Sequence, residues 1–227
     1  MSDQIDSAMI FAAGLGTRMG ALTQRTPKPM LELAGGPMIG RTVQLARQAG
    51  VQSLVANTHY LHDSIAPYLA EHNVQVVQES PKILDTGGGL KNANRLLSSP
   101  TFTVNPDVVW LGVNPFEVLQ NAWTSDMDAL LLVVPVSGSV NRKEGDFSLH
   151  DGRLQRHGDM IYTGAQIIRT EVLREVDLNS FSMNVVWDIL INRDALSGCV
   201  YPDKWCDIGT PDGLDLANSL LSSGSDV

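Results

Sequence analysis

The sequence predicts an α/β fold: a three-layer, doubly wound and mostly parallel sheet followed by a small antiparallel region. Three observations carry this. Short apolar runs alternate with segments of helical period through residue 136. A glycine-rich stretch directly follows the first apolar run. Beyond it, closely spaced short runs are joined by turn residues such as Asp151-Gly152.

The elements follow in order. Residues 8–13 form a buried strand, and residues 14–29, rich in Gly, Pro, Thr and basic side chains, form a long functional loop. A helix is expected over 37–49, opened by Pro37 and closed by Gly50. A strand at 51–56 and a helix at 62–71 follow, the latter disturbed by Pro67, and then a short strand at 74–77. A helix over 87–97 opens from the glycine run, and a strand at 102–105 ends at Pro106-Asp107. A helix at 115–123 leads to the long apolar run 129–136, the best central strand of the second half. Strands at 147–150, 152–156 and 160–168, a helix at 184–193 and a closing helix at 211–221 with a frayed tail complete the reading. The β-α alternation is that of a Rossmann-like sheet.

Composition bounds the function. The 227 residues suffice for one sizeable core, with 43% hydrophobic and 18% charged residues. A net charge of −9 argues against nucleic acid or an anionic membrane as partner. No apolar run approaches the ~20 residues of a membrane span. The acidic start lacks a signal peptide's basic region. Cys199 and Cys206 fit no metal-ligand spacing, so a cytoplasmic location is expected. The sequence is silent on oligomeric state.

A strand running into Gly14-Leu15-Gly16 lets backbone N–H groups approach a phosphate at the sheet's C-terminal edge. Two common nucleotide loops are disfavoured. The dinucleotide fingerprint needs glycine where Met19 stands, and an acidic residue where the second strand ends in Asn57. A Walker A loop needs Gly-Lys where the chain has Met19-Gly20. What remains is a loop carrying Arg18, and Lys28 presented stiffly between Pro27 and Pro29, an arrangement suited to holding phosphate. Asp107 and Asp207 each follow an extended stretch. Two carboxylates suit Mg²⁺, although each is equally read as a turn or capping aspartate.

The segments Ala12-Ala13-Gly14-Leu15-Gly16-Thr17-Arg18-Met19, Pro27-Lys28-Pro29-Met30, Asp85-Thr86-Gly87-Gly88-Gly89, Asn105-Pro106-Asp107 and Trp205-Cys206-Asp207-Ile208-Gly209-Thr210 together resemble the sugar-1-phosphate nucleotidyltransferases. Within that family, the short length and the Thr-Gly-Gly-Gly run resemble the uridylyltransferases of N-acetylmuramate 1-phosphate.

The resemblance implies that a nucleoside triphosphate, UTP, and a sugar 1-phosphate are joined with Mg²⁺ as cofactor. It implies one nucleotidyltransferase domain over 1–227, with 8–136 mainly nucleotide-binding, 137–210 mainly sugar-phosphate-binding, and 211–227 the closing helix and tail. Catalysis falls to Arg18, Lys28 and Asp107. Nucleotide binding falls to Ala12, Ala13, Gly14, Gly16, Thr17, Arg18, Glu79, Thr86, Gly87 and Gly88. The acceptor falls to Lys28, Asn105, Asp146 and Gly164, and the metal to Asp107 and Asp207. A departure is Pro106, where relatives often have glycine. Proline forbids the left-handed backbone open to glycine, so the turn beside Asp107 must be built differently. The alternatives are a guanylyl- or thymidylyltransferase for a hexose 1-phosphate, and a non-catalytic nucleotide sensor.

Overall fold

The computed structural model describes residues 4–223. Its strands are β1 (Ser7–Phe11), β2 (Glu32–Leu33), β3 (Gly36–Pro37), β4 (Ser53–Thr58), β5 (Val74–Gln78), β6 (Thr101–Val104), β7 (Val108–Leu111), β8 (Ala129–Pro135), β9 (Phe147–His150), β10 (Arg153–Arg156), β11 (Met160–Ile168), β12 (Leu196–Val200) and β13 (Lys204–Asp207). Its α-helices are α1 (Met38–Gln48), α2 (His62–Glu71), α3 (Asp85–Ala93), α4 (Pro115–Ala122), α5 (Met183–Ile191) and α6 (Pro211–Ser222). None is long and apolar enough to cross a membrane.

Nine strands form one sheet in the order β5-β4-β1-β6-β11-β8-β12-β10-β9. Only β11 and β10 run against the rest, so the sheet is mostly parallel in direction. The antiparallel region continues the main sheet rather than standing apart. Its β9–β10 hairpin turns at Asp151 and Gly152, with φ of 48° and 78°, the both-positive turn that Asp-Gly favours.

Side chains alternate across β1. Ala8 and Ile10 pack with α1, α2 and α4, whereas Met9 packs with α3 and α5, which gives the three layers. A third, smaller core joins α6 to Met19, Leu31 and the antiparallel ribbon of β7 and β13.

The structure differs from the sequence reading in several details, among them the unpredicted strands β2, β3, β7 and β12. The loop after β1 folds into two 3-10 turns, Thr17–Thr23 and Lys28–Met30. Pro37 caps α1 instead of opening it. Helix α3 starts at Asp85, so the glycines lie inside its first turns. There a Cβ on Gly87 would sit 2.4 Å from the Phe181 ring, and one on Gly88 2.4 Å from the Asn179 carbonyl. These glycines permit close packing of α3 against the 179–181 segment.

Candidate active site

The chain leaves β1 on one side of the sheet towards β4, and re-enters on the other side at β6. The gap between the C-terminal ends of β1 and β6 is where open α/β sheets bind ligands. Three cavities meet there, and Asp107 lines all of them. The first, about 200 Å³, is walled by Gly14, Gly16, Thr17, Arg18, Lys28 and Gly209. The second, also about 200 Å³, lies towards Ala13, Asn57, Ile83, Asp85 and Thr86. The third, about 510 Å³, opens on Asn105, Asp146, Tyr162, Gly164, Trp187 and Asp207.

The first cavity is built by the loop's own backbone. Gly16 has φ +65° and packs so tightly that a Cβ would lie 3.0 Å from both Lys28 Cβ and Thr23 Cγ2. The Thr23 hydroxyl donates to the Gly16 carbonyl at 3.0 Å, and the Tyr60 hydroxyl donates to the Thr23 carbonyl at 3.0 Å. Lys28 is thereby fixed, buried, with Nζ 2.5 Å from Asp107 Oδ2. Arg18 lies beside Gly209 and Asp207: a Cβ on Gly209 would stand 2.7 Å from Arg18 Nη1 and 2.5 Å from Asp207 Oδ2.

Asp107 and Asp207 are a hundred residues apart in sequence, yet the β7–β13 ribbon sets Asp207 opposite Val108. The Ile208 amide donates to the Asp107 carbonyl at 2.9 Å. Asn141 clamps Asp207 through its backbone, donating to its carbonyl at 2.7 Å and accepting from its amide at 3.0 Å. Burial, and then the charge of Asp107, push the Asp207 carboxyl above the usual range, against the pull of Lys28, Arg18 and the Gly209 amide. Two facing carboxylates gain from a shared cation. Mg²⁺ takes one or two carboxylates and fills its remaining positions with phosphate oxygens and water, so this donor set fits it.

The structure brings Ala13, Gly14, Gly16, Thr17, Arg18, Lys28, Thr86, Asn105, Asp107, Asp146, Gly164 and Asp207 to these cavities. It sets others behind the wall. The Ala12 amide donates to Asn57 Oδ1 at 2.9 Å. Asn57 Nδ2 donates to Glu79 Oε1 at 2.7 Å, and the Leu84 amide to Glu79 Oε2 at 2.7 Å. Glu79 is thus buried with both oxygens engaged by the protein. Gly87 and Gly88 are buried too, and the Gly88 amide donates to the Phe181 carbonyl at 3.0 Å. Asp146 accepts from both terminal nitrogens of Arg142, at 2.9 and 3.1 Å, and from the Tyr162 amide at 2.9 Å. Asn105 is held by its amide on the Gly164 carbonyl at 2.8 Å. Pro106 sits in the phosphate cavity beside Asp107.

Sequence reasoning missed Asn57, Asn141, Arg156 and His157. Only Asn57 carried a signal, as the residue standing where a dinucleotide fold has an acid.

The profile of the MobA-like NTP transferase domain matches residues 8–142. The N-acetylmuramate alpha-1-phosphate uridylyltransferase of Caulobacter vibrioides is 29% identical over 98% of this chain and 99% of its own. A mannose-1-phosphate guanyltransferase of Gibberella zeae is 30% identical over 89% of this chain and 60% of its own. Among solved structures, the inositol-1-phosphate CTP transferase of T. maritima superposes with a TM-score of 0.82 at 16% identity, over 98% of this chain and 97% of that one. With its phosphate loop, buried lysine and paired aspartates, the chain belongs to the MobA-like NTP transferase family, among the sugar-1-phosphate nucleotidyltransferases.

Proposed function

We propose that the protein joins UTP to N-acetylmuramate 1-phosphate, giving a UDP-sugar and pyrophosphate. The observation that carries this is the meeting of three cavities on Asp107 beside Lys28 and Arg18. The nucleoside occupies the cavity at Thr86, its phosphates run along Gly14 to Arg18, and the sugar phosphate enters from the side of Asn105, Asp146 and Gly164. UTP and this acceptor are favoured by the Caulobacter relative, which the chain matches from end to end.

In the reaction, an acceptor phosphate oxygen forms a bond to the α-phosphorus of UTP. The bond from that phosphorus to the bridging oxygen breaks, and pyrophosphate leaves with the electron pair. A phosphate monoester is already largely dianionic at neutral pH, with a second pKa of about 6, so no general base is needed. The obstacle is repulsion between two polyanions. Lys28 and Arg18 place fixed positive charge at the reacting phosphates, and the loop amides align them. Asp107 and Asp207 would hold Mg²⁺, which supplies charge neutralisation at the phosphates. Asn105 and Asp146 orient the sugar. Glu79 and Asn57 act from behind, fixing the strand end from which the loop springs. We place the activity in the cytosol, and the two free cysteines agree with that.

Pyrophosphate release, measured over a matrix of UTP, GTP and dTTP against N-acetylmuramate, N-acetylglucosamine and mannose 1-phosphates with Mg²⁺, tests the reading. The pair UTP and N-acetylmuramate 1-phosphate is expected to give the highest kcat/KM. The Gibberella relative favours a second reading, GTP with mannose 1-phosphate, and higher turnover of that pair would replace ours. No release from any pair would leave a nucleotide sensor.

A further inference from the structure

The largest of the three cavities carries nitrogen-bearing side chains on the wall formed by the end of β10 and the turn after it, where Arg156 and His157 line it with Phe147, Asn184 and Trp187. Nothing in the proposed chemistry uses Arg156 or His157. Resting on the reading that this cavity takes the sugar phosphate, we infer that Arg156, with His157, receives a second anionic group on the acceptor, a carboxylate borne by the sugar itself.

Arg156 is held as a preorganised receptor. Its guanidinium lies over two aromatic rings, 5.0 Å from the Phe147 centroid and 5.6 Å from that of Trp187. Nε donates to Asp188 Oδ1 at 2.8 Å, and Nη2 donates to the Asn184 carbonyl at 3.0 Å. Nη1 makes no hydrogen bond among the described residues, which leaves one terminal nitrogen for a ligand. A stacked guanidinium with spare donors matches a carboxylate in shape and charge. His157 is held next to it in a left-handed conformation, φ 65°, with its amide on the Asp146 carbonyl at 3.0 Å.

Arg156 enters the cavity from a different part of the sheet than the groups placed at the reacting phosphate. That phosphate must lie by Asp107, next to Asn105 and its partner Gly164. Gly164 lies four residues along β11 from Met160, across an irregularity between Tyr162 and Gln166. Arg156 pairs with Phe147, which pairs in turn with Met160, so its backbone stands two strands to the side of β11 at the Met160 end. Arg142 is not the receptor, because Asp146 already takes both its terminal nitrogens. Arg156 meets Asp188 through Nε and keeps Nη1 open, so it offers a second anion a donor apart from the groups placed at the reacting phosphate. A neutral hexose 1-phosphate leaves it unused, whereas an acceptor with an ether-linked carboxylate satisfies it.

The test compares N-acetylmuramate 1-phosphate with N-acetylglucosamine 1-phosphate, which has a free hydroxyl in place of the lactyl ether that bears the carboxylate. Dissociation constants are measured by calorimetry on the full-length protein, alone and with a non-hydrolysable UTP analogue, so the answer does not depend on turnover. The carboxylated sugar is expected to bind about ten- to a hundred-fold tighter, the range of a hydrogen bond to a charged group. This preference should fall towards one in Arg156→Gln and be partly restored in Arg156→Lys. His157→Asn tolerates the left-handed backbone and should lower the preference several-fold, which keeps the test open if Arg156→Gln fails to fold. A wild-type preference near one, or one untouched by both Arg156→Gln and His157→Asn, overturns the inference. A preference that stands without pyrophosphate release sinks only the transferase reading. No binding of either sugar phosphate sinks both.

Discussion

Asn57→Ala is expected to lower both stability and triphosphate affinity. The side chain sits at the centre of a buried chain of hydrogen bonds from the Ala12 amide through Asn57 to Glu79. Alanine leaves the Ala12 amide without its acceptor and removes one donor from a buried carboxylate. An orphaned buried polar group costs ~1–3 kcal/mol, and more when it is charged, so the two losses amount to about 3–5 kcal/mol. For a chain of this length each kcal/mol moves Tm by ~2–4 °C, which gives a fall of roughly 6–20 °C. Ala12 leads into the phosphate loop, so loosening its amide should also weaken UTP binding. Thermal denaturation followed by circular dichroism reads the first effect, and calorimetric titration with a UTP analogue reads the second. A drop in Tm below about 3 °C, with unchanged affinity, would refute the account of this network.

Gly89→Ala strikes the same network from α3, because its Cβ would lie 2.6 Å from Asn57 Nδ2 and 2.8 Å from Glu79 Oε1. Overpacking of this kind costs ~1–3 kcal/mol. It should cost less in the Asn57→Ala background, so additive losses in a double-mutant cycle would argue against the contact. Gly16→Ala meets a left-handed backbone, worth ~1–2 kcal/mol, and pushes on Lys28. It should reduce kcat by about a hundredfold, as expected for a displacement near 1 Å, and a kcat within twofold of wild type would show that the loop yields freely. Asp107→Asn should remove turnover with a normal circular dichroism spectrum, and retained Mg²⁺-dependent pyrophosphate release would mean that another residue holds the metal. Burial pushes the Cys199 thiol up to about 12 and the Cys206 thiol to about 11. Cys206 is buried and Cys199 partly so; Cys206 should therefore resist a thiol-specific disulfide reagent at pH 8 until the protein unfolds and Cys199 should react slowly, and fast labelling of Cys206 in the native protein would contradict its burial.

The parallel half of the fold was legible because its strands are apolar runs and its helices keep their period. Strand β12 was not, since Leu196-Ser197-Gly198-Cys199-Val200 lacks a strand's alternation. Its Gly198 is demanded by Leu154, which a Cβ would meet at 2.8 Å, and such a demand exists only after the chain has folded. The glycines of α3 read as the opening of a helix, and the helix starts two residues earlier, at Asp85; tertiary packing against Phe181 offsets their poor helix propensity. At the site, the anion-binding elements Gly14 to Arg18 and Lys28 stood out through local chemistry. Asp207 did not, because spacing alone leaves it a turn aspartate. Its place beside Asp107 depends on the β7–β13 pairing, which joins distant stretches of chain. Arg156 was invisible for the same reason, since its neighbours Asp188 and Trp187 come from another element.

That ribbon also orders events during synthesis. A nascent chain that has released β1 to β6 carries Arg18 and Lys28, but neither Asp107, which holds Lys28, nor the core of β7, β13 and α6 on which Met19 and Leu31 pack. Asp207 arrives about a hundred residues after Asp107, and the paired carboxylates form only when β13 closes on β7. Loop and carboxylates are thus assembled together. The last β-strand to emerge completes the site, after the strands that wall the largest cavity have already been built.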